Sequence, residues 1–197
     1  MIENMYNAFV CEYNEPRESF ERLLEFMAAD FYFPLSLQFE YGIEQILKRA
    51  RLVEKLKKHY DPGLLSKDVC DPLGDLYCEL FAPMRTQTLS GSDCTAIDNA
   101  HTSEFKRALV DSRVGTGSSL IQYSKKHPNT LLYGVDRDLT CIRIALINSA
   151  IYKVPMLLLH ANPDVHEIDP STENGRFNWQ YSNCWDSHMD RLKEKQH

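Results

Sequence analysis

The stretch RALVDSRVGTGSSL, residues 107–120, decides which fold the sequence predicts. Residues 107–110 are typical of a short buried strand, and residues 118–126 fit a helix. Two glycines, Gly115 and Gly117, lie between them. Glycines at this point of a doubly wound sheet allow a tight turn and let the backbone approach a ligand at a helix N-terminus. We therefore expect a ligand-binding loop directly after this strand.

The alternation of strands and helices continues toward the C-terminus. Residues 130–135 and 156–160 are further apolar runs, and residues 139–150 carry apolar side chains at helical spacing. Strand, helix, strand, helix, strand predicts a parallel sheet with right-handed crossovers. The expected fold class is α/β, with a Rossmann-like half-sheet in residues 101–197.

Residues 1–100 are expected to form a helical N-terminal region, in one compact unit with the half-sheet. A cap-like Asn14-Glu15-Pro16 precedes one predicted helix, and others are predicted over residues 37–60 and 67–84. Residues 90–95 are polar and turn-like. The second helix has a basic face between Lys48 and Lys58, which is either a solvated face or a phosphate-contacting one.

Composition limits the partners of the chain. Its 197 residues carry 22 basic and 28 acidic side chains, a formal charge of −6, so any DNA contact must be local or supplied by a partner. The six cysteines contain no Cys-x-x-Cys pair, and we expect no metal site. No apolar run is long enough to cross a membrane and no secretion signal begins the chain, so a cytoplasmic location is expected.

An acidic residue, Asp136, follows the second predicted strand, about twenty residues after the glycines. A carboxylate at that strand end can accept hydrogen bonds from the two ribose hydroxyls of an adenosine-containing cofactor. The nearby Asp138 is better placed to cap the next helix.

The glycine loop departs from a dinucleotide-binding loop at both ends. Leu120 stands where the third glycine of Gly-x-Gly-x-x-Gly would be, and Asp111 precedes the loop. The pattern Asp-x-x-x-Gly-x-Gly-x-x-Leu resembles motif I of S-adenosylmethionine-dependent methyltransferases, particularly the adenine-N6 DNA methyltransferases. The resemblance implies that S-adenosylmethionine is the cofactor, with Asp111, Gly115 and Gly117 around its methionine part.

A second resemblance narrows the family. Residues 71–81, DPLGDLYCELF, are similar to the helix that precedes the catalytic domain in modification subunits of type I restriction systems. Those proteins continue with Gly-Gln-Phe-Phe-Thr-Pro, which closes over the cofactor, and this chain keeps only Gly91 and Thr95 of that motif. The resemblance implies cofactor contacts for Thr95 and, after the third parallel strand, for Asn162 near the adenine ring.

The catalytic tetrapeptide of that family, Asn/Asp-Pro-Pro-Tyr/Phe, is absent from the sequence. Only the partial matches at Asn162-Pro163 and Asp169-Pro170 occur, so no catalytic residue is assigned. The aromatic residues between 177 and 185 either stack a base or, as we expect, cover a face or edge of the sheet.

Three functional hypotheses follow. The first is an S-adenosylmethionine-dependent DNA adenine-N6 methyltransferase of a restriction-modification system, which binds DNA directly or through a specificity subunit. The second is a catalytically inactive methyltransferase-like binding or regulatory protein. The third is an adenosine-binding Rossmann-like domain of unrelated function. Because three strands are only half of the family's sheet, we expect either a truncated relative of the family or a chain whose sheet is completed by a second copy or another protein.

Overall fold

The computed structural model describes residues 1–30, 48–65, 70–81, 94–97, 107–160 and 179–181. The chain divides into two compact units, residues 1–68 and residues 69–197. Each unit contains buried apolar side chains of its own.

The first unit is helical. The helices among its described residues are α1 (Ile2–Tyr13), α2 (Pro16–Asp30), α3 (Ala50–His59) and the short α4 (Pro62–Leu65). Asn14 ends α1 in the left-handed conformation, with φ of 58°, which a helix C-terminus commonly requires. The helix predicted after Asn14 is confirmed, with Pro16 at its first position, where a missing N–H costs no hydrogen bond.

Apolar faces of α1, α2 and α3 form the core of this unit. The rings of Tyr6 and Phe20 meet edge to face with centroids 6.4 Å apart. The fully enclosed side chains of this core are Met5, Phe9, Phe20, Leu23, Leu24, Met27 and Leu56. Burial of such side chains contributes about 1.5–3 kcal/mol each, so apolar packing holds the unit together.

Helix α3 is shorter than the sequence predicts. Arg49 has φ of −95° and ψ of 75°, outside the helical region, so an unbroken helix over residues 37–60 is wrong at this point. Residues 37–47 lie outside the described part of the chain. The basic face is exposed at Arg51, Lys55 and Lys58, as the solvated-face interpretation expects, and phosphate contact stays a hypothesis.

The second unit contains a five-stranded sheet in the order β1-β2-β3-β4-β5. The strands are β1 (Cys94–Ile97), β2 (Arg107–Asp111), β3 (Thr130–Asp136), β4 (Leu157–His160) and β5 (Trp179–Tyr181). β2, β3 and β4 are parallel to one another, whereas β1 pairs antiparallel with β2, and β5 pairs antiparallel with β4. The α/β class and the three predicted parallel strands are confirmed.

In the described part of this unit, three helices accompany the sheet: α5 (Pro72–Phe81), α6 (Ser118–Lys126) and α7 (Leu139–Tyr152). Eleven of the fourteen residues of α7 are buried, as expected for a helix that is apolar on most of its surface. α7 contacts β3, β4, α5 and α6, and is therefore the central helix of the unit. The helix predicted over residues 67–84 is present as α5, in the same unit as the sheet.

The two antiparallel strands lie at the edges of the parallel triplet. Cys94 and Thr95 belong to β1, so the expected turn over residues 90–95 is wrong at these two positions. Residues 179–181 pair with β4 as a short strand, and the expectation that the aromatic rings between 177 and 185 cover a face or edge of the sheet stays a prediction. Within the described residues, no helix combines the length and apolar character that a membrane span requires.

Candidate functional site

The three parallel strands end at the same edge of the sheet. β2 ends at Asp111, β3 at Asp136 and β4 at His160, and Asp136 lies opposite His160 in the pairing register. Ligands of doubly wound sheets bind at this carboxyl edge, since the loops that follow the strands meet there. The candidate site therefore lies around Asp136 and the loop after β2.

The loop after β2 depends on its two glycines. Gly115 and Gly117 have φ of 53° and 83°, in the left-handed region that side chains disfavour. Gly117 also approaches α7 closely, because a Cβ at this position would lie 3.2 Å from Cβ of Ala145. The Gly117 N–H donates to the Val114 carbonyl at 2.9 Å and closes the turn. Both predicted glycines are thus required by the shape of the loop before α6.

Asp136 joins this loop to the end of β3. Its Oδ2 accepts the N–H of Gly115 at 2.9 Å, and its Oδ1 accepts the N–H of Asp138 at 2.8 Å. The loop is attached to β3 a second time, because the Val114 N–H donates to the Val135 carbonyl at 2.9 Å. A single carboxylate therefore fixes the loops that follow β2 and β3.

Asp136 also has capacity for a ligand. A carboxylate offers about four lone-pair positions, and the two backbone N–H groups occupy one on each oxygen, which leaves acceptors for two neighbouring hydroxyls. Asp136 is 9% exposed, whereas Asp111 is 1% exposed. Of the two strand-end acids, Asp136 is the more accessible to a bound molecule.

Asp111 braces the start of the glycine loop. Its Oδ1 accepts the N–H of Arg113 at 3.1 Å, which makes a local turn of the kind that aspartates favour. The residue is almost completely enclosed at the end of β2. Its predicted contact with the methionine part of a cofactor stays a prediction.

Of the two further predicted cofactor contacts, the structure describes Thr95. Thr95 lies in β1 and pairs with Val110 of β2, next to the start of the glycine loop. Asn162 lies outside the described residues, as do the partial catalytic matches at residues 163 and 169–170. The structure thus brings Asp111, Gly115, Gly117 and Asp136 together, and it places Thr95 in the adjoining strand.

His160, at the end of β4, is exposed beside Asp136. Its Nε2 lies 3.1 Å from the carbonyl oxygen of Arg137, and because a carbonyl only accepts, Nε2 carries a proton and donates. The ring is therefore attached to the loop after β3, at the rim of the candidate site.

A buried carboxylate, Asp71, lies behind the glycine loop. Its Oδ1 accepts the N–H of Gly74 at 2.9 Å and the amide Nδ2 of Asn148 at 2.8 Å, and its Oδ2 accepts the hydroxyl of Thr116. The same Asn148 amide donates to the Thr116 carbonyl at 3.0 Å. Burial raises the pKa of Asp71 above its ordinary value, although these three donors oppose the shift.

Two tyrosines connect the helices around this carboxylate. The Tyr77 hydroxyl donates to Oδ2 of Asp138 at 2.6 Å, and Oδ1 of Asp138 caps α7 by accepting the N–H of Thr140 at 2.9 Å. The predicted capping role of Asp138 is confirmed. The Tyr152 hydroxyl donates to the Cys70 carbonyl, and burial together with the nearby Cys70 raises the pKa of Tyr152 to about 12.

The sequence alone indicates no individual role for Asp71, Tyr77, Thr116 or Asn148. A signal existed for two of them, because Asp71, Gly74 and Tyr77 stand three residues apart and so share one face of a helix. Thr116 and Asn148 gave no signal, since their partner is distant in the sequence.

No family model, curated protein or solved structure matches this chain. Across the part of the chain that the structure describes, no three His, Cys, Asp or Glu side chains are grouped so that they could hold a metal ion.

Proposed function

We propose that this chain is a methyltransferase-like module that binds S-adenosylmethionine at the carboxyl edge of its sheet. The observation that carries the proposal is the hydrogen bond that the Gly115 N–H donates to the Asp136 carboxylate. An acid at the end of the second parallel strand, bonded to a glycine of the loop after the first, suits the adenosine of such a cofactor.

The residues on the first two strand ends fit this cofactor better than a dinucleotide. In dinucleotide sites a third glycine lets the helix pack closely on the strand, but here Leu120, a fully buried residue in the first turn of α6, occupies that position. Asp136 keeps free acceptor positions for the ribose hydroxyls, and its carboxylate is hydrogen-bonded to the side-chain-free backbone of Gly115. When bound, S-adenosylmethionine would supply an activated methyl group.

The catalytic alternative is an adenine-N6 DNA methyltransferase that works with DNA or a specificity subunit. Its support is the resemblance of residues 71–81 and 111–120 to that family. The position of β1 weighs against it, because in a doubly wound sheet of order 3-2-1-4-5-6 the fourth strand pairs with the first. Here β1 already pairs with β2, the first parallel strand, at that edge. We therefore favour the binding or regulatory role.

The pairing of β1 with β2, and of β5 with β4, limits where a partner could add a strand to the sheet. A second copy or another protein would have to pair outside β1 or β5, since the edges of the parallel triplet are taken. A partner strand outside β1 would be separated from β2 and its loop by β1 alone, whereas a partner strand outside β5 would be separated from them by β3, β4 and β5.

Calorimetric titration with S-adenosylmethionine tests the cofactor site. We expect binding by the wild-type chain and a loss of at least about tenfold in affinity for Asp136→Asn, since it removes a charged acceptor. Asp75→Asn is the matched control, because it removes an exposed carboxylate from the same unit and should leave affinity unchanged. Equal affinities for wild type and Asp136→Asn would contradict the assigned site. Tighter binding of NAD than of S-adenosylmethionine would contradict the assigned cofactor.

A further inference from the structure

Helix α5 contacts both loops that form the candidate site. Asp71, immediately before α5, receives the hydroxyl of Thr116 from the loop after β2. Tyr77, on the same face of α5, donates to Asp138 in the loop after β3 at 2.6 Å. The two loops are also joined to each other by Gly115 and Asp136. One helix thus holds the two backbone segments that a ligand would contact.

Thr116 is well suited to fix the glycine loop. It stands between Gly115 and Gly117, whose left-handed conformations an unrestrained chain adopts only at an entropic cost. Its side chain is 1% exposed, its hydroxyl donates to Asp71, and its carbonyl accepts from Asn148. Side chain and backbone of this residue are therefore both anchored, on the side of the loop away from solvent.

The packing at Asp71 leaves little room for another arrangement. A Cβ at Gly74 would lie 2.2 Å from Oδ2 of Asp71, so the carboxylate is seated against the bare backbone of α5. Its Oδ1 caps the helix through the Gly74 N–H, and its Oδ2 is turned toward Thr116. One oxygen of this carboxylate therefore caps the helix, and the other anchors the loop.

Below the loop there is also an unsatisfied acceptor. Among the residues that the structure describes, none donates a hydrogen bond to Oδ1 of the fully buried Asn148, whereas its Nδ2 donates to both Asp71 and Thr116. An amide held so that one buried oxygen stays unpaired costs about 1–3 kcal/mol. The hydrogen bonds that Nδ2 of Asn148 donates to Asp71 and to the Thr116 carbonyl explain why an asparagine stands there at that cost.

We propose that Asp71 and Tyr77 are positioning residues, which act through Thr116 and Asp138 to hold the two loops in the ligand-binding arrangement. The inference rests on the proposed function for its ligand, and it goes beyond it by assigning control of affinity to α5. A purely structural role would lower the stability of the fold and leave the affinity of the folded protein unchanged. A positioning role lowers the affinity of the folded protein as well.

Four single variants of the full chain separate these roles. Thr116→Val removes only the hydroxyl that reaches Asp71, and Thr116→Ser restores a hydroxyl. Tyr77→Phe removes only the hydroxyl that reaches Asp138. Ser149→Ala is the matched control, because it removes a buried hydroxyl of α7 whose bond, 2.6 Å to the Val154 carbonyl, lies in the turn that follows that helix.

Two measurements are made on each folded variant: calorimetric affinity for S-adenosylmethionine, and amide exchange without ligand. We expect Thr116→Val and Tyr77→Phe to bind about tenfold more weakly, Thr116→Ser to bind like wild type, and Ser149→Ala to lose stability without losing affinity. The Gly115 amide, which donates to Asp136, should exchange about tenfold faster in Thr116→Val and unchanged in Ser149→Ala.

Wild-type affinity in Thr116→Val and Tyr77→Phe would overturn the proposal, and so would equal loop exchange in Thr116→Val and Ser149→Ala. A wild-type chain that does not bind S-adenosylmethionine would contradict the proposed function instead. In that case the exchange of the Gly115 amide decides alone whether α5 positions the loop.

Discussion

At the scale of single residues, Asp71 combines burial with three hydrogen-bond donors. Gly74, Asn148 and Thr116 all donate to its carboxylate. Burial nevertheless outweighs these donors and raises its pKa. The folded chain therefore holds a proton on Asp71 more tightly than the unfolded chain does.

This difference predicts how stability depends on pH. Asp71 titrates at about pH 4 in the unfolded chain and at a higher pH in the folded chain. Its contribution to the free energy of unfolding therefore falls as the pH rises between these two pKa values. Asp71→Asn removes that titration and keeps an oxygen that can cap α5. We expect the stability of wild type relative to Asp71→Asn to decrease across this interval and then stay level. Urea unfolding at a series of pH values measures it, and a relative stability that increases with pH would show that the donors dominate.

Gly117 permits a second prediction about a single residue. Alanine there would carry a side chain at φ of 83° and place its Cβ 3.2 Å from Ala145. We expect Gly117→Ala to lower the free energy of unfolding by about 1–3 kcal/mol and to weaken ligand binding. Gly63→Ala serves as the control, since Gly63 is exposed and, of the described residues, a Cβ there would meet the side chain of Asp61 alone. A Gly117→Ala chain as stable as Gly63→Ala would show that the loop adopts another conformation.

At the scale of elements, Asp138 connects the start of α7 to α5. One oxygen caps α7 and the other accepts the Tyr77 hydroxyl. We expect Asp138→Ala to cost about 1–2 kcal/mol in the free energy of unfolding, and Asp138→Ser to recover the cap but not the contact with Tyr77. Chemical denaturation compares the three chains. If Asp138→Ser were fully as stable as wild type, the bond to Tyr77 would contribute nothing to the fold.

The elements that the sequence predicts well are those with strong local patterns. Helix α6 has the predicted bounds, and β2, β3, α7 and β4 agree within about two residues, because each has an apolar run or stripe of its own. The sequence does not predict β1, since Cys94–Ile97 is short and follows a polar segment, and its pairing with β2 defines it as a strand. The break before α3 at Arg49 likewise has no proline or glycine to mark it.

The candidate site was predictable only in part. Asp136 and the two glycines follow apolar strands directly, so their place at the sheet edge could be read from the sequence. The roles of Asp71 and Asn148 could not, because they arise from contacts between residues 77 positions apart. Local patterns report which face of an element is buried, but not which polar partners meet there.

At the scale of the whole molecule, the net charge of −6 and the occupied edges of the parallel triplet both favour a binding role over catalysis on DNA. The chain has an expected cofactor site, an acidic balance that disfavours general contact with DNA phosphates, and no catalytic tetrapeptide in its sequence. These features together favour a role that depends on binding the cofactor.

We therefore expect no methyl transfer from labelled S-adenosylmethionine to unmethylated DNA, at cofactor concentrations that saturate the wild-type chain. An active adenine methyltransferase assayed in parallel confirms that the DNA is a competent substrate. Label that is incorporated by wild type and lost in Asp136→Asn would show instead that the chain is an enzyme.

The bare backbone at Gly74 has a consequence for how this chain tolerates sequence change. Any side chain there would displace the Asp71 carboxylate, and with it both the start of a helix and the anchor of a loop 42 residues further along the chain. One substitution at Gly74 would thus disturb both the helix start and the loop. A compensating substitution at position 71 would need a side chain shorter than aspartate that still reaches Thr116. We therefore expect the residues at positions 71, 74 and 116 to change together during evolution or to stay unchanged.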